Sequence, residues 1–76
     1  MKISLISIGD ELLSGFTTNT NASWIGRNLS KMGCSICEQI TVKDNKNSIL
    51  DGLKILTKKK VDFIILTGGL GSTDDD

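Results

Sequence analysis

The chain has 76 residues, nine basic and nine acidic side chains, no His and no Pro. Zero net charge argues against a nucleic-acid-binding module, or one seated on an acidic membrane, since either shows a basic excess. Without His, the commonest general base and metal ligand, any chemistry must come from carboxylates, hydroxyls, the two Cys or backbone amides. One domain is the upper limit at this length, and such a domain is marginal in stability.

Ile3, Leu5, Ile6 and Ile8 form a short, nearly continuous apolar run, which predicts a buried strand ended by Gly9. Residues 10–19 are polar and contain Gly15, the pattern of a loop. Asn19 or Thr20 then stands where a helix needs a cap. Ala22, Ile25, Leu29 and Met32 recur at spacings of three and four, one face of a helix that Gly33 stops. Trp24 lies off that stripe and reads as a partly exposed residue at the edge of the core, with a subunit contact as the alternative. A second strand spans Ser35–Val42, with Ile36, Ile40 and Val42 on one face and Cys37, Gln39 and Thr41 on the other.

A second helix is expected from about Asn47 to Lys60, with Ile49, Leu50, Leu53 and Leu56 inward. Lys58, Lys59 and Lys60 fall in its last turn, where the helix dipole favours cations; this is a solvated end rather than a nucleic-acid patch. The third strand, Val61–Thr67, carries the uninterrupted run Phe63-Ile64-Ile65-Leu66, the pattern of a central strand covered on both faces. It runs into Gly68-Gly69-Leu70-Gly71.

Cys34 and Cys37 form a C-x-x-C pair, but no other Cys or His completes a zinc site. Cys34 enters a strand rather than a helix N-terminus, where a redox thiolate would be stabilised. The pair reads as structural thiols of a reduced, cytoplasmic protein. No apolar run approaches the length of a membrane span.

Strand and helix alternate without a hairpin signal, so the fold class is α/β, two βαβ units on a parallel sheet with right-handed crossovers. The most apolar strand comes last and should have neighbours on both sides. Residues 1–76 are therefore expected to be the front half of a larger α/β domain.

Parallel sheets bind ligands beyond the carboxyl ends of their strands. Asp10 and Glu11 follow the first strand, Asp44 and Asn45 the second, and the Gly-rich loop with Asp74, Asp75 and Asp76 the third. Asp44 alone is better explained as a turn or cap residue; the three loops together gather carboxylates on one rim. In T-G-G-L-G-S-T the glycines permit close backbone approach to a ligand, and Ser72 or Thr73 is placed to cap an anion-binding helix start. The loop is neither a Walker loop nor the dinucleotide fingerprint. Two unit charges about 4 Å apart repel by roughly 4 kcal/mol at an effective dielectric near ~20, so a phosphate beside Asp75 or Asp76 requires a cation. Magnesium, held by carboxylates and substrate phosphates, suits that requirement. The alternative is that these acids only stabilise the first turn of a following helix.

The segments I-S-I-G-D-E-L-L-S-G, T-N-T-N-A, V-K-D-N and L-T-G-G-L-G-S-T-D-D-D resemble, in order and spacing, the N-terminal domain of the competence-damage-inducible CinA proteins. That domain belongs to the MoaB/Mog-like molybdopterin-binding superfamily. The resemblance implies a three-layer α/β/α fold, shortened here to β-α-β-α-β with a parallel sheet. It also implies molybdopterin binding, as in some members, or hydrolysis of the pyrophosphate of ADP-ribose, as in CinA-type members. By position, Gly68, Gly69, Gly71 and Thr73 would form the phosphate loop, and Asp10, Glu11, Asn19 and Asn21 would complete the ligand site. Asp76 stands where relatives keep a catalytic acid and Asp44 matches the acid after the second strand, so these two are the candidate catalytic residues, for metal or general-base work, and Asp75 would share the divalent metal with Asp76. Ser72 departs from the Pro usual in the family. The expected partner is a phosphate-bearing small molecule with magnesium, and a second copy or a complementing polypeptide is the further candidate. The competing functions are a non-catalytic or partner-dependent binding fragment and a molybdenum-cofactor biosynthesis domain.

Overall fold

A computed structural model describes residues 1–15 and 18–68. Strand β1 spans Lys2–Ile8, helix α1 Asp10–Ser14, helix α2 Thr20–Lys31, strand β2 Ser35–Val42, helix α3 Lys46–Thr57 and strand β3 Phe63–Gly68. The strands form one parallel sheet in the order β2-β1-β3. The chain thus steps from β1 to one neighbour, then crosses back over β1 to the other. Two crossovers of the same hand in opposite directions place their helices on opposite faces.

The core divides accordingly. Ile3 and Leu5 pack with Ala22 of α2, joined by Ile25, Leu29, Ile36 and Ile65. Ile6 and Ile8 pack with Leu56 of α3, joined by Ile40, Val42, Ile49, Leu53 and Ile64. Burying each Leu or Ile side chain contributes about 1.5–3 kcal/mol. Helix α3 approaches the sheet closely at the buried Gly52, where a Cβ would lie 3.1 Å from Val42 Cγ1.

Each helix starts and stops for a local reason. Asn19 caps α2 by accepting from the Ala22 N–H, and Asn45 caps α3 by accepting from the Ser48 N–H. Helix α2 ends in a Schellman arrangement: Gly33, at φ +89°, donates to Ser30 O, and Cys34 donates to Leu29 O.

The structure corrects several sequence expectations, the bounds of β3 among them, which are Phe63–Gly68 rather than Val61–Thr67. The central strand is β1; among the described residues β3 pairs with β1 alone. Its apolar run is left with Phe63 55% and Leu66 43% exposed, because α2 and α3 lie chiefly over β1 and β2. Residues 10–14 form a short helix rather than a loop. The β1–β2 register shifts between Ile3 and Ser4, with Ile3 opposite Ile36 and Ser4 opposite Glu38. Cys37 is the extra residue of this bulge, and it reverses the alternation. Ile36 therefore packs on the α2 side while Ile40 and Val42 pack on the α3 side. Met32 and Leu50 are exposed, Met32 because it is the cap residue beyond the last turn of α2. Finally, α3 ends at Thr57 with Lys58 as its cap, and Lys59 pairs with Glu38 across 2.8 Å.

Cys34 is half-buried and Cys37 exposed, both as free thiols. Among the described residues, no helix is long and apolar enough to cross a membrane.

Candidate functional site

A crevice lies beyond the carboxyl ends of β1 and β3, the rim at which parallel α/β sheets bind ligands. A cavity of about 180 Å³ occupies this position. Ile8, Thr67 and Gly68 form its floor at the strand ends, Glu11 and Leu12 of α1 one wall, and Thr18 to Asn21 at the start of α2 the other. Drug-sized ligands occupy about 300–1,000 Å³. The described part therefore has room for a phosphate group or a pyrophosphate rather than a whole nucleotide.

Local sequence builds each wall. Gly9 O accepts from the Leu12 and Leu13 N–H groups, which turns the chain into α1 and carries Glu11 to the cavity. The Glu11 carboxylate lies over Gly9, where a Cβ would come within 3.0 Å of Glu11 Oε2. On the opposite wall, the Asn19 carboxamide donates from Nδ2 to the Ser7 Oγ at 2.7 Å and accepts at Oδ1 from the Ala22 N–H. Ser7 is fully buried, and a buried hydroxyl of this kind requires such a partner. In the first turn of the helix that starts at this wall, the N–H groups of Thr20, Ala22 and Ser23 are taken by Thr18 O, Asn19 Oδ1 and Asn19 O, and Asn21 lines the cavity beside them.

The floor depends on Gly68. It pairs with Ile8, adopts φ +95°, and a Cβ there would lie 2.3 Å from Ile8 O. Only Gly can end β3 against β1 and release the chain at this angle.

Of the expected ligand residues, Glu11, Asn19, Asn21 and Gly68 come together at this cavity. Asp10 and Asp44 meet elsewhere on the same rim, between β1 and β2, where the Asp44 N–H donates to Asp10 Oδ1 at 3.1 Å. Both are exposed, and neither lines the cavity. Asp10 thus ties the β2–α3 connection to the start of α1. Gly69, Gly71, Thr73, Asp75 and Asp76 lie outside the described residues. Sequence reasoning missed Ser7, although a Ser inside a buried strand signals a polar partner nearby, and it missed Thr67 on the floor.

Among the described residues, no group of three or more His, Cys, Asp or Glu is placed to hold a metal ion. The carboxylate that these residues give to the cavity is Glu11. Magnesium is commonly held by one or two carboxylates and the phosphates of its substrate, so Glu11 fits a shared ion rather than a protein-only cage.

A second, more open groove of about 430 Å³ runs along β2 and α3, lined by Leu13, Ile40, Val42, Asp51 and Ile55 among others. It contains none of the expected ligand residues.

Residues 4–76 match the family described as "Probable molybdopterin binding domain". A CinA-like protein of Flavobacterium psychrophilum is 43% identical over 76 residues, and one of Salinibacter ruber is 46% identical; each alignment covers the whole of this chain and 18% of the relative. The chain thus spans less than a fifth of the length of these relatives. A crystal structure of the protein CinA with unknown function from Thermoplasma acidophilum superposes with a TM-score of 0.85 at 33% identity, covering 92% of this chain and 41% of that one. Its backbone supports the parallel α/β architecture described above.

Proposed function

Because the chain belongs to the molybdopterin-binding domain family, as a CinA-like member, we propose that its strand-end rim binds the phosphate groups of a small molecule together with magnesium. The observation that carries this reading is the cavity beyond the ends of β1 and β3, floored by Gly68 and flanked by the start of α2. Backbone N–H groups at a helix start favour an anion without a positive side chain, in keeping with a chain of zero net charge. The Gly-rich stretch that follows Gly68 in sequence is the candidate source of further backbone donors.

The ligand is either the pyrophosphate of ADP-ribose or the phosphate of molybdopterin. In the first case the proposed reaction is hydrolysis: water attacks one phosphorus, the bridging P–O bond breaks, and AMP and ribose 5-phosphate leave. Magnesium supplies charge neutralisation at the phosphates, with Glu11, Asp75 and Asp76 as its candidate carboxylates. Asp76 is the candidate base that takes the proton of the attacking water, and Asn21 orients the phosphate. Asp44 and Asp10 act one step away, holding the neighbouring connection in place.

Calorimetric titration of the chain with ADP-ribose, with and without magnesium, tests the binding. Magnesium-dependent binding is expected, and no binding in either condition contradicts the proposal. Asp76→Asn in a complete CinA-like protein is expected to abolish release of AMP; an unchanged rate removes Asp76 from the mechanism.

A second reading rests on β3. An apolar strand that leaves Phe63 and Leu66 exposed and, among the described residues, has one edge unpaired suits a complementing polypeptide or a second copy of the chain. Leu66→Lys is expected to abolish concentration-dependent association in sedimentation, and a wild-type chain that stays monomeric at all concentrations rules this reading out.

A further inference from the structure

Resting on the phosphate-site reading, we propose that Asn19 is the positioning residue of the rim cavity, locking the start of α2 onto β1 through the buried Ser7, rather than a group that contacts the ligand. Both ends of its carboxamide are engaged inside the protein. Nδ2 donates to Ser7 Oγ at 2.7 Å, and Oδ1 accepts from the Ala22 N–H at 3.3 Å. Ser7 and Ala22 are both essentially inaccessible to solvent. Ser7 belongs to the central strand, paired with Thr41 on one side and Thr67 on the other. The clamp therefore ties the central strand of the sheet to the first turn of the helix beside the cavity.

Its consequence is orientation. Thr18, Thr20 and Asn21 lie on the wall that Asn19 anchors, and their polar groups keep their direction toward the cavity only while that turn is fixed. An ordinary cap could be Asp, Ser or Thr. Asn alone joins a neutral acceptor for the helix N–H to a donor for the buried hydroxyl, and it does so without placing a negative charge where a phosphate is to bind. The sequence T-N-T-N-A thus assigns different tasks to its two Asn: Asn19 turns into the protein and Asn21 is exposed beside the cavity.

Ser7→Ala separates this role from ligand contact, since Ser7 is buried and the change is nearly isosteric. Two readouts are taken on the full chain: amide hydrogen exchange at Ala22, and affinity for inorganic pyrophosphate with magnesium. Loss of one hydrogen bond in the clamp is expected to weaken pyrophosphate binding by about two- to tenfold in Ser7→Ala, with far-UV circular dichroism unchanged. Asn19→Ala is expected to accelerate exchange at Ala22, and the double variant to bind no more weakly than Asn19→Ala alone. In Asn19→Asp, Ala22 stays protected, because Asp still accepts from Ala22 and the Ser7 hydroxyl can turn to donate, while pyrophosphate affinity falls through charge repulsion. Full affinity in Ser7→Ala alongside a loss in Asn19→Ala would show that Asn19 touches the ligand, and would overturn the proposal. If the wild-type chain binds no pyrophosphate, the phosphate-site reading fails, whereas exchange at Ala22 still judges the clamp: unchanged protection in Asn19→Ala would refute it.

Discussion

Gly68 offers the sharpest test of how the site is built. In Gly68→Ala the added Cβ would sit 2.3 Å from Ile8 O and 3.3 Å from Ile8 C, and both atoms belong to the backbone of the central strand. Neither can swing aside as a flexible side chain would. The residue must also hold φ +95° with a Cβ, at about 1–2 kcal/mol. Forcing the strand ends apart adds about 1–3 kcal/mol, the usual range for an overpacked interior. The sum, roughly 2–5 kcal/mol, rivals the ~3–5 kcal/mol that a core of this size supplies. Gly33→Ala is the matched control. It has a similar φ of +89° but no atom within 4 Å of its Cβ, so it should lose only about 1–2 kcal/mol. Urea unfolding followed by far-UV circular dichroism measures both variants; Trp24 is too exposed in the fold to report reliably. Equal midpoints for the two variants would refute the argument, because the contact with Ile8 would then contribute nothing.

Other variants test other parts of the fold. Among the described residues the buried Ser4 hydroxyl has no hydrogen-bond partner, so Ser4→Ala should raise stability by about 1 kcal/mol; a clear loss would mean that the hydroxyl is satisfied. Asn45→Ala removes the α3 cap and should cost about 1 kcal/mol in the same urea experiment, and no change would show the cap to be idle. The hydrogen bond and then the charge of Glu38 raise the Lys59 pKa above its ordinary 10.5. Because the folded value exceeds the unfolded one, this stabilisation is fully present below 10.5 and disappears as pH climbs through the raised value. It should also shrink in salt, since both side chains reach solvent. A stability difference between wild type and Lys59→Met that vanished already at neutral pH would contradict this assignment. Cys37, exposed on the bulge, should alkylate before the half-buried Cys34 in the native chain, as peptide mass analysis would show; the reverse order would place the bulge wrongly.

Much of the fold was legible because hydrophobic spacing reports burial directly. The limits of β2 at Ser35–Val42 and the stripe Ala22–Ile25–Leu29 follow from period two and period 3.6. Strand order did not follow, since apolar content does not tell how many neighbours a strand has. β1 carries two Ser yet lies in the middle, and β3 carries the denser apolar run yet has one described neighbour. The bulge was invisible for a related reason. Ile36, Ile40 and Val42 keep even spacing whether or not an extra residue intervenes opposite Ile3 and Ser4, and the adjacent polar pair Glu38-Gln39 was the one hint of a break in phase. A helix of five residues, α1, is too short to show a period at all.

The site was legible as a rim but not as a geometry. Topology alone places Asp10, Glu11 and Asp44 at the carboxyl ends of their strands. It does not reveal that Asp10 turns to the Asp44 backbone while Glu11 turns to the cavity. Nor does the T-N-T-N spacing show that Asn19 is committed to Ser7, because that contact joins residues 12 apart through the fold.

The central claim is that a phosphate-bearing molecule sits beyond the ends of β1 and β3. Amide chemical-shift mapping of the isotopically labelled chain, titrated with ADP-ribose and magnesium, tests it most directly. The account expects the largest shifts at Glu11, Thr20, Asn21 and Gly68, with little change at Met1, Gly33 and Asp62 near the opposite end of the sheet. Shifts concentrated at that opposite end, or along the β2–α3 groove, would contradict it.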